Sequence, residues 1–339
     1  MTFYIYNRGH AVGIRVIIDN LIRAFARHGI NAFEVDTLAN CPKTACVIPY
    51  GVLESWYVAK SGYETKLALL VDAISLGYRN KIVFYFKKRH IFHFDFFYSI
   101  YGFLRYSRME KRVIKKYENV MLVSQTDIDY LKRRNQARNK SITYWCVPNG
   151  VNEVDVVRDK SVSDKMRIGV LSSFNSRQSF EENNWFFRSI YKKYSIEHSD
   201  IELIVAGRGR FINHLRGLRS VTVLGEVDDL NDFFSNIDVF LSLNPKGCGI
   251  LNRVLDAIAY RTAVIGVNGS FSGFSDSTKF YLCFDNYDSF CSTVNDIKNE
   301  SLRLELIGKA ESIIKEKHNW VLNYDRFVQK ILLVASIKD

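Results

Sequence analysis

Two stretches of this chain repeat one order of elements, and that order leaves few folds open. Residues 2–7 form an apolar run, 8–13 a loop with two glycines, and Ile14, Ile17, Ile18, Leu21, Ile22 and Phe25 then recur at helical spacing up to His28-Gly29. Apolar runs at 32–35 and 45–49 read as further strands. From residue 167 the pattern begins again, with strands at 167–171, 201–206, 221–224, 239–243 and 263–267 and helices at 185–194, 230–235 and 250–259. Strand–helix alternation of this kind is the mark of a doubly wound, mostly parallel sheet. The 339 residues suit two such α/β units better than one core.

Between the two units lie apolar segments at 67–75 and 81–86, a long helix at 97–116, a strand at 120–124, a short helix at 127–134 and a strand at 143–147. The last of these runs into Pro148-Asn149-Gly150, a strong turn signal. The polar stretch 152–165 reads as the link into the second unit, and two helices, 301–316 and 323–334, follow it.

The six cysteines show no metal-site spacing and read as reduced, mostly buried thiols of a cytosolic protein. The first ten residues lack the basic and apolar regions of a signal peptide, and no run of 18 apolar residues is long enough to span a bilayer. The formal charge of +11 fits nucleic acid, an anionic membrane surface or a phosphorylated ligand, so its placement has to decide.

The stretch 247–265, GCGILNRVLDAIAYRTAVI, resembles the donor-site signature of glycosyltransferase family 4: glycine-x-glycine, a linker, an acidic residue with Ala-x-Ala, then a turn into Val-Ile. Residues 201–209 (IELIVAGRG), 221–229 (VTVLGEVDD), 238–240 (DVF) and 147–151 (VPNGV) match further motifs of that family in order and spacing. The resemblance covers roughly residues 120–270. It implies the GT-B architecture: two doubly wound Rossmann-like domains facing a central cleft, with a C-terminal helix crossing back to the N-terminal domain. The implied division is an acceptor-binding domain at 1–155, a nucleotide-sugar-binding domain at 156–320 and the returning helix at 321–339. The implied reaction is retaining, metal-independent glycosyl transfer, with no cofactor. A nucleotide-sugar would be the donor, UDP or GDP favoured, and a glycan or lipid-linked glycan the acceptor, in bacterial surface polysaccharide (O-antigen or capsule) synthesis.

The donor's diphosphate calls for backbone N–H groups and cations. Gly247 and Gly249 would let the backbone approach it, with the following helix N-terminus, reached through Ile250 and Leu251, pointing at the anion. Lys246 and Arg253 would add charge, and Asp256, two turns into the helix, would accept from the ribose hydroxyls. Arg177, with Ser173, is the candidate for a diphosphate contact after the first strand of the second domain, and Gly207 lies in the next loop. Gly13 opens the first helix and would face a phosphate or the sugar. The weak catalytic candidates are His10 and Gly13, since such enzymes are thought to rely on electrostatics rather than a dyad. Three departures stand out. Cys248 occupies a place where many members carry an acid for the donor sugar, Arg261 stands where the turn has Gly, and Ala263 where it has Pro.

Residues 81–117 crowd ten Lys and Arg with eight aromatic rings from Phe92 to Tyr106 against two acids. This composition suits a surface lying on an anionic membrane at the cytoplasmic face, with Lys87, Lys88, Arg89, Phe96, Phe97 and Arg105 as its members. Nucleic acid is excluded as a partner because the donor signature has no place in it. Two rivals stay open. A nucleotide-sugar epimerase would use Asp72, Asp95, Glu181 or Glu182 for proton transfer. A degenerate, non-catalytic scaffold would be consistent with Cys248.

Overall fold

A computed structural model of the chain describes residues 2–9, 12–63, 65–88, 94–135, 142–152, 154, 164–274 and 279–336. His10, Arg89 and most of 152–165 lie outside the described residues.

The first half contributes β1 (Thr2–Tyr6), α1 (Val12–Arg27), β2 (Asn31–Val35), β3 (Cys46–Pro49), α2 (Val52–Val58) and β4 (Leu67–Val71). It continues with α3 (Ile74–Lys87), α4 (Phe94–Ile114), β5 (Asn119–Leu122), α5 (Gln125–Asn135) and β6 (Thr143–Cys146). β1 pairs in parallel with β2 and β3, and β5 with β4 and β6. A parallel bridge between Tyr50 and Leu69 joins the two triplets, giving the order β2-β1-β3-β4-β5-β6. β4 and β5 are buried along their whole length, as parallel strands covered on both faces must be.

The second half contributes β7 (Met166–Leu171), α6 (Arg177–Phe186), a π-helical turn (Phe187–Tyr191), α7 (Lys192–Glu197), β8 (Ile201–Ala206) and β9 (Val221–Gly225). Then come α8 (Leu230–Phe234), β10 (Val239–Ser242), α9 (Asn252–Ala259), β11 (Ala263–Gly266), β12 (Tyr281–Cys283), α10 (Tyr287–Lys298), α11 (Glu300–Lys317) and α12 (Trp320–Ser336). The sheet is parallel, in the order β12-β11-β10-β7-β8-β9. The chain leaves β7 toward β8 and β9, then returns to lay β10 on its other side. In such a sheet the ligand crevice opens beyond the carboxyl ends of the strands flanking that switch, here β7 and β10.

The sequence pattern does not announce α2, β12 or α10, and the apolar segment 81–86, left without an element type, belongs to α3. The pattern also puts residues 172–179 in a loop, whereas α6 begins at Arg177. α10 has a local signal: Asn286 and Ser289 form a reciprocal capping box.

α12 returns to the first domain. Asp325 pairs with Arg27 at 2.8 Å, and Phe327 meets Trp145 edge-on with ring centroids 5.8 Å apart. Tyr324, Phe327 and Val328 share one apolar core with Phe3, Ile5 and Phe25. Gly150 marks the return: a Cβ there would stand 2.3 Å from the backbone nitrogen of Trp320. The six cysteines are free thiols, but Cys41 alone among them is buried and Cys146 is exposed; Cys46, Cys146 and Cys283 stand at strand ends.

Candidate active site

The loop after β10 runs through Lys246-Gly247-Cys248-Gly249 into α9. Gly247 and Gly249 both adopt left-handed backbone, φ 57° and 65°, which glycine tolerates without a Cβ penalty. Their close neighbour is the first domain. A Cβ on Gly247 would stand 2.7 Å from Nδ2 of Asn80, and one on Gly249 would stand 2.2 Å from Oδ1 of Asp72. Besides any approach to a phosphate, these glycines let the loop seat on the opposite wall.

Three first-domain side chains hold that seat. Asn80 Nδ2 donates to the carbonyls of Lys246 (2.8 Å) and Gly247 (3.1 Å). The N–H of Gly249 donates to Oδ2 of Asp127 at 2.8 Å. Thr126 Oγ1 donates to the carbonyl of Ser272 at 2.6 Å.

Asp127 is fully buried and takes two further donors, the N–H of Ala73 at 3.1 Å and the hydroxyl of Ser124. Ser124 in turn accepts the N–H of Asp127 at 3.1 Å, which starts α5. On the next helix, buried Glu110 accepts the N–H of Ser75 at 2.8 Å and the Ser75 hydroxyl, and pairs with Arg134 at 3.3 Å. α3 has Ala73 at its N-cap with no side-chain acceptor of its own, so carboxylates from α4 and α5 satisfy its first N–H groups. α3 is thereby aimed at the second domain, where Phe84 packs edge-on against Trp185 at 5.4 Å.

Asp72 lies just before Ala73, the N-cap of α3. The residue before it, Val71, has φ 66°, a left-handed conformation costly for a β-branched side chain, beside a register shift in the β4–β5 pairing. Burial, and then the neighbouring Asp127, push the Asp72 carboxyl up to about 7, while Lys246 pulls it down. Burial and the same two carboxylates raise the Cys248 thiol well above its usual range, so it stays protonated.

Cations gather on the other side of the loop. Glu182 of α6 pairs with Lys81 of α3 and with Lys246 at 3.7 Å, tying the domains together. Burial lowers the pKa of Lys81 in spite of that partner. α9 begins at Asn252, and its N-cap, Leu251, offers no side-chain acceptor. Arg253 and Asp256 follow on its first two turns. Arg253 keeps much of its surface in water although protein surrounds it, the setting of a cleft floor. Burial pushes Asp256 up to about 6, and Arg253 opposes the shift.

The remaining sequence candidates divide. A side chain at Gly13 would begin 3.8 Å from Nδ2 of Asn252, so the first helix does meet the start of α9. Asn149, in the turn between the domains, donates to Asn252 Oδ1 at 2.8 Å. Ser173 is half-buried in the loop after β7 and Arg177 is the first residue of α6, its side chain outside the described set. Gly207 packs the β7 and β8 loops together: a Cβ there would stand 1.8 Å from the Ser172 carbonyl oxygen. Ile250 is buried in the apolar core, and Leu251 is half-buried against it. Arg261, where the resembling family has Gly, adopts φ 52°, the geometry that makes Gly the usual choice.

A model for the family described as glycosyl transferases group 1 matches residues 166–296, which span the crevice just described. Residues 166–296 are thus similar to a group 1 glycosyltransferase domain. No curated protein sequence matches the chain. Among solved structures, sucrose-phosphate synthase from Thermosynechococcus elongatus superposes with TM-score 0.69 at 13% identity, over 99% of this chain and 99% of that one. A trehalose-6-phosphate protein from E. coli bound with UDP-2-fluoro glucose superposes with TM-score 0.68 at 9% identity, over 97% and 98%. A trehalose-6-phosphate synthase studied for glycosyl transfer with retention does so with TM-score 0.59 at 10% identity, over 94% and 78%. These likenesses establish the fold, GT-B with two Rossmann-like domains.

Outside the cleft, α4 presents a distinct surface. Phe94, Phe97, Tyr101 and Leu104 are exposed at 76%, 57%, 58% and 46%, at helical spacing along one face. Phe86, at the end of α3, is exposed beside the hairpin, and Lys87 with it. Arg105, Arg108, Arg112 and Lys115 continue that face as an exposed basic stripe. Phe96 is half-buried. Lys88 turns out to face inward: its ammonium lies over the Trp185 ring at 4.4 Å and donates to the carbonyl of Asp285, because α3 points that side at the second domain. Among the described residues no helix is long and apolar enough to cross a membrane.

Proposed function

We propose that the protein transfers a sugar from a nucleotide-sugar to a lipid-linked glycan, with retention and without a metal ion. The observation that carries this is the crevice at the β7–β10 switch, where a glycine loop feeds an uncapped helix start bearing Arg253 and Asp256 inside a group 1 domain. Backbone N–H groups at that start and the cations Arg253 and Lys246 suit a diphosphate, and Asp256 suits ribose hydroxyls. Transfer through an electrostatically stabilised ion pair needs no protein nucleophile. Of the four carboxylates an epimerase would draw on, Asp95 is buried, Glu181 accepts from Asn184, and Glu182 is held between two lysines, which leaves Asp72 without a second of these acids for proton transfer from the opposite face. That favours transfer.

The α4 face supports an acceptor held at a membrane. Aromatic rings settle at the headgroup level, and the basic continuation meets anionic lipid. A protein docked this way would work on the cytoplasmic face, where lipid-linked precursors of bacterial surface polysaccharides such as O-antigen or capsule are extended.

The test is a thermal-shift panel with UDP, GDP, dTDP, CDP and their sugars, beside an Asp256→Ala variant. A ligand that binds the folded state alone raises its melting temperature. A shift with one base, lost in the variant, is the expected result. No shift with any of them would reject donor binding.

A further inference from the structure

We infer that Asp72, on the first domain, reads the hydroxyl groups of the donor sugar in place of the acid that position 248 lacks. The inference rests on the nucleotide-sugar reading above and assigns the sugar end of that donor.

Two carboxyl groups face the Gly247–Gly249 loop from the first domain. Asp127 is fully engaged, by Ala73, Ser124 and the N–H of Gly249. Asp72 is not: among the described residues no group donates to its carboxyl, although its Oδ1 overhangs Gly249 so closely that a Cβ there would stand 2.2 Å away. It is partly open to water. Each carboxylate oxygen offers two acceptor sites, so an open Asp72 matches a pair of neighbouring sugar hydroxyls.

Position 248 carries a cysteine. Its side chain points at the first domain, with Sγ 2.7 Å from where a Cβ on Gly77 would be. An Asp or Glu there would share one small volume with Asp72 and Asp127, and carboxylates so close resist common ionisation. A neutral thiol avoids that conflict, and the raised thiol pKa agrees. Positions 72 and 248 are therefore alternative sources of one acid, placed on opposite walls of the same cleft. The strained backbone at Val71 aims the one that is present. It follows that the second domain holds the nucleotide end of the donor while the first domain inspects the sugar.

The experiment compares bare nucleoside diphosphates (UDP, GDP) with their sugars (UDP-glucose, GDP-mannose) by calorimetry, on the wild type, Asp72→Asn and the double variant Asp72→Asn/Cys248→Asp. Expected in Asp72→Asn is diphosphate affinity within about twofold of wild type, with sugar-nucleotide affinity reduced about tenfold or more. The double variant recovers at least part of that loss. Equal loss for both ligand types would make Asp72 a structural residue and overturn the inference. So would unchanged sugar-nucleotide binding, or a wild type for which the sugar adds no affinity over the diphosphate. A wild type that binds no nucleoside diphosphate would reject the donor reading itself, an outcome distinct from the others. Thermal melting of each variant separates misfolding from lost recognition.

Discussion

The two walls of the cleft are made by different means. On the second domain, the loops after β8 and β10 turn on their own residues, glycines at positive φ and Asn244 whose Oδ1 accepts the N–H of Lys246 at 2.9 Å, before Asn80 and Asp127 seat the β10 loop. On the first domain, the wall depends on partners far along the chain. Glu110 and Asp127 lie 35 and 54 residues beyond the N–H groups of α3 that they satisfy. The first kind of wall forms wherever the local sequence folds. The second exists only when three helices have come together, so damage to it costs stability before it costs binding.

That contrast can be broken most directly at Asp127. Asp127→Ala removes three hydrogen bonds to a buried carboxylate and should destabilise the protein by about 3–5 kcal/mol, measured by urea unfolding. Asp256→Ala, on the opposite wall, should leave the urea midpoint nearly unchanged and weaken nucleoside-diphosphate binding about tenfold or more, read by calorimetry. If the two variants lost stability to the same extent, the division between the walls would fail.

pH sharpens the comparison at Glu110. Burial raises its pKa to about 7 from an ordinary 4.5, although Ser75 and Arg134 pull the other way. The native state therefore binds this proton more tightly than the unfolded chain. The stabilisation that results is complete below about pH 4.5 and is lost as pH rises through about 7. Relative to wild type, Glu110→Gln should gain about 2 kcal/mol of stability between pH 5 and pH 8. A difference that stays flat across this range in denaturant titrations would mean that Arg134 keeps Glu110 ionised throughout.

The smallest expected effect lies outside the cleft. Phe97→Ala with Tyr101→Ala should reduce sedimentation with anionic liposomes at low salt several-fold while changing stability by less than about 0.5 kcal/mol, as exposed substitutions do. Arg105→Ala with Arg108→Ala should weaken it by about 1 kcal/mol per charge, an effect that fades with added salt. Wild-type protein that stays in the supernatant would remove the membrane from the account.

How much of this was legible in the sequence follows the same division. Gly247, Gly249 and Asp256 announce themselves because their spacing is local, but the contact of the two glycines with the first domain has no local signal. Asn80, Lys81 and Thr126 carry no pattern at all: their importance comes from where α3 and α5 end up. Asp127 had a faint signal, since Ser124-x-x-Asp127 is a helix-start pattern, but nothing local says that the carboxylate would leave its own helix for Gly249. Lys88 was grouped with the membrane-facing cations because composition gives no direction. The face of α3 that carries Asn80, Lys81, Phe84 and Lys88 is defined by the second domain, which composition does not see.

The return of α12 has a consequence for how the protein is made. The pair Arg27–Asp325 closes over 298 positions, and Tyr324 and Phe327 fill the same interior as Phe3 and Phe25. During synthesis the amino-terminal half therefore waits, its apolar interior incomplete, until the whole second domain has left the ribosome. Contacts of such long sequence separation form slowly, and partly built interiors of this kind are prone to aggregate. An early stop before residue 320 would leave a second domain with all six strands of its sheet and a first domain with an open seam, a natural substrate for chaperones.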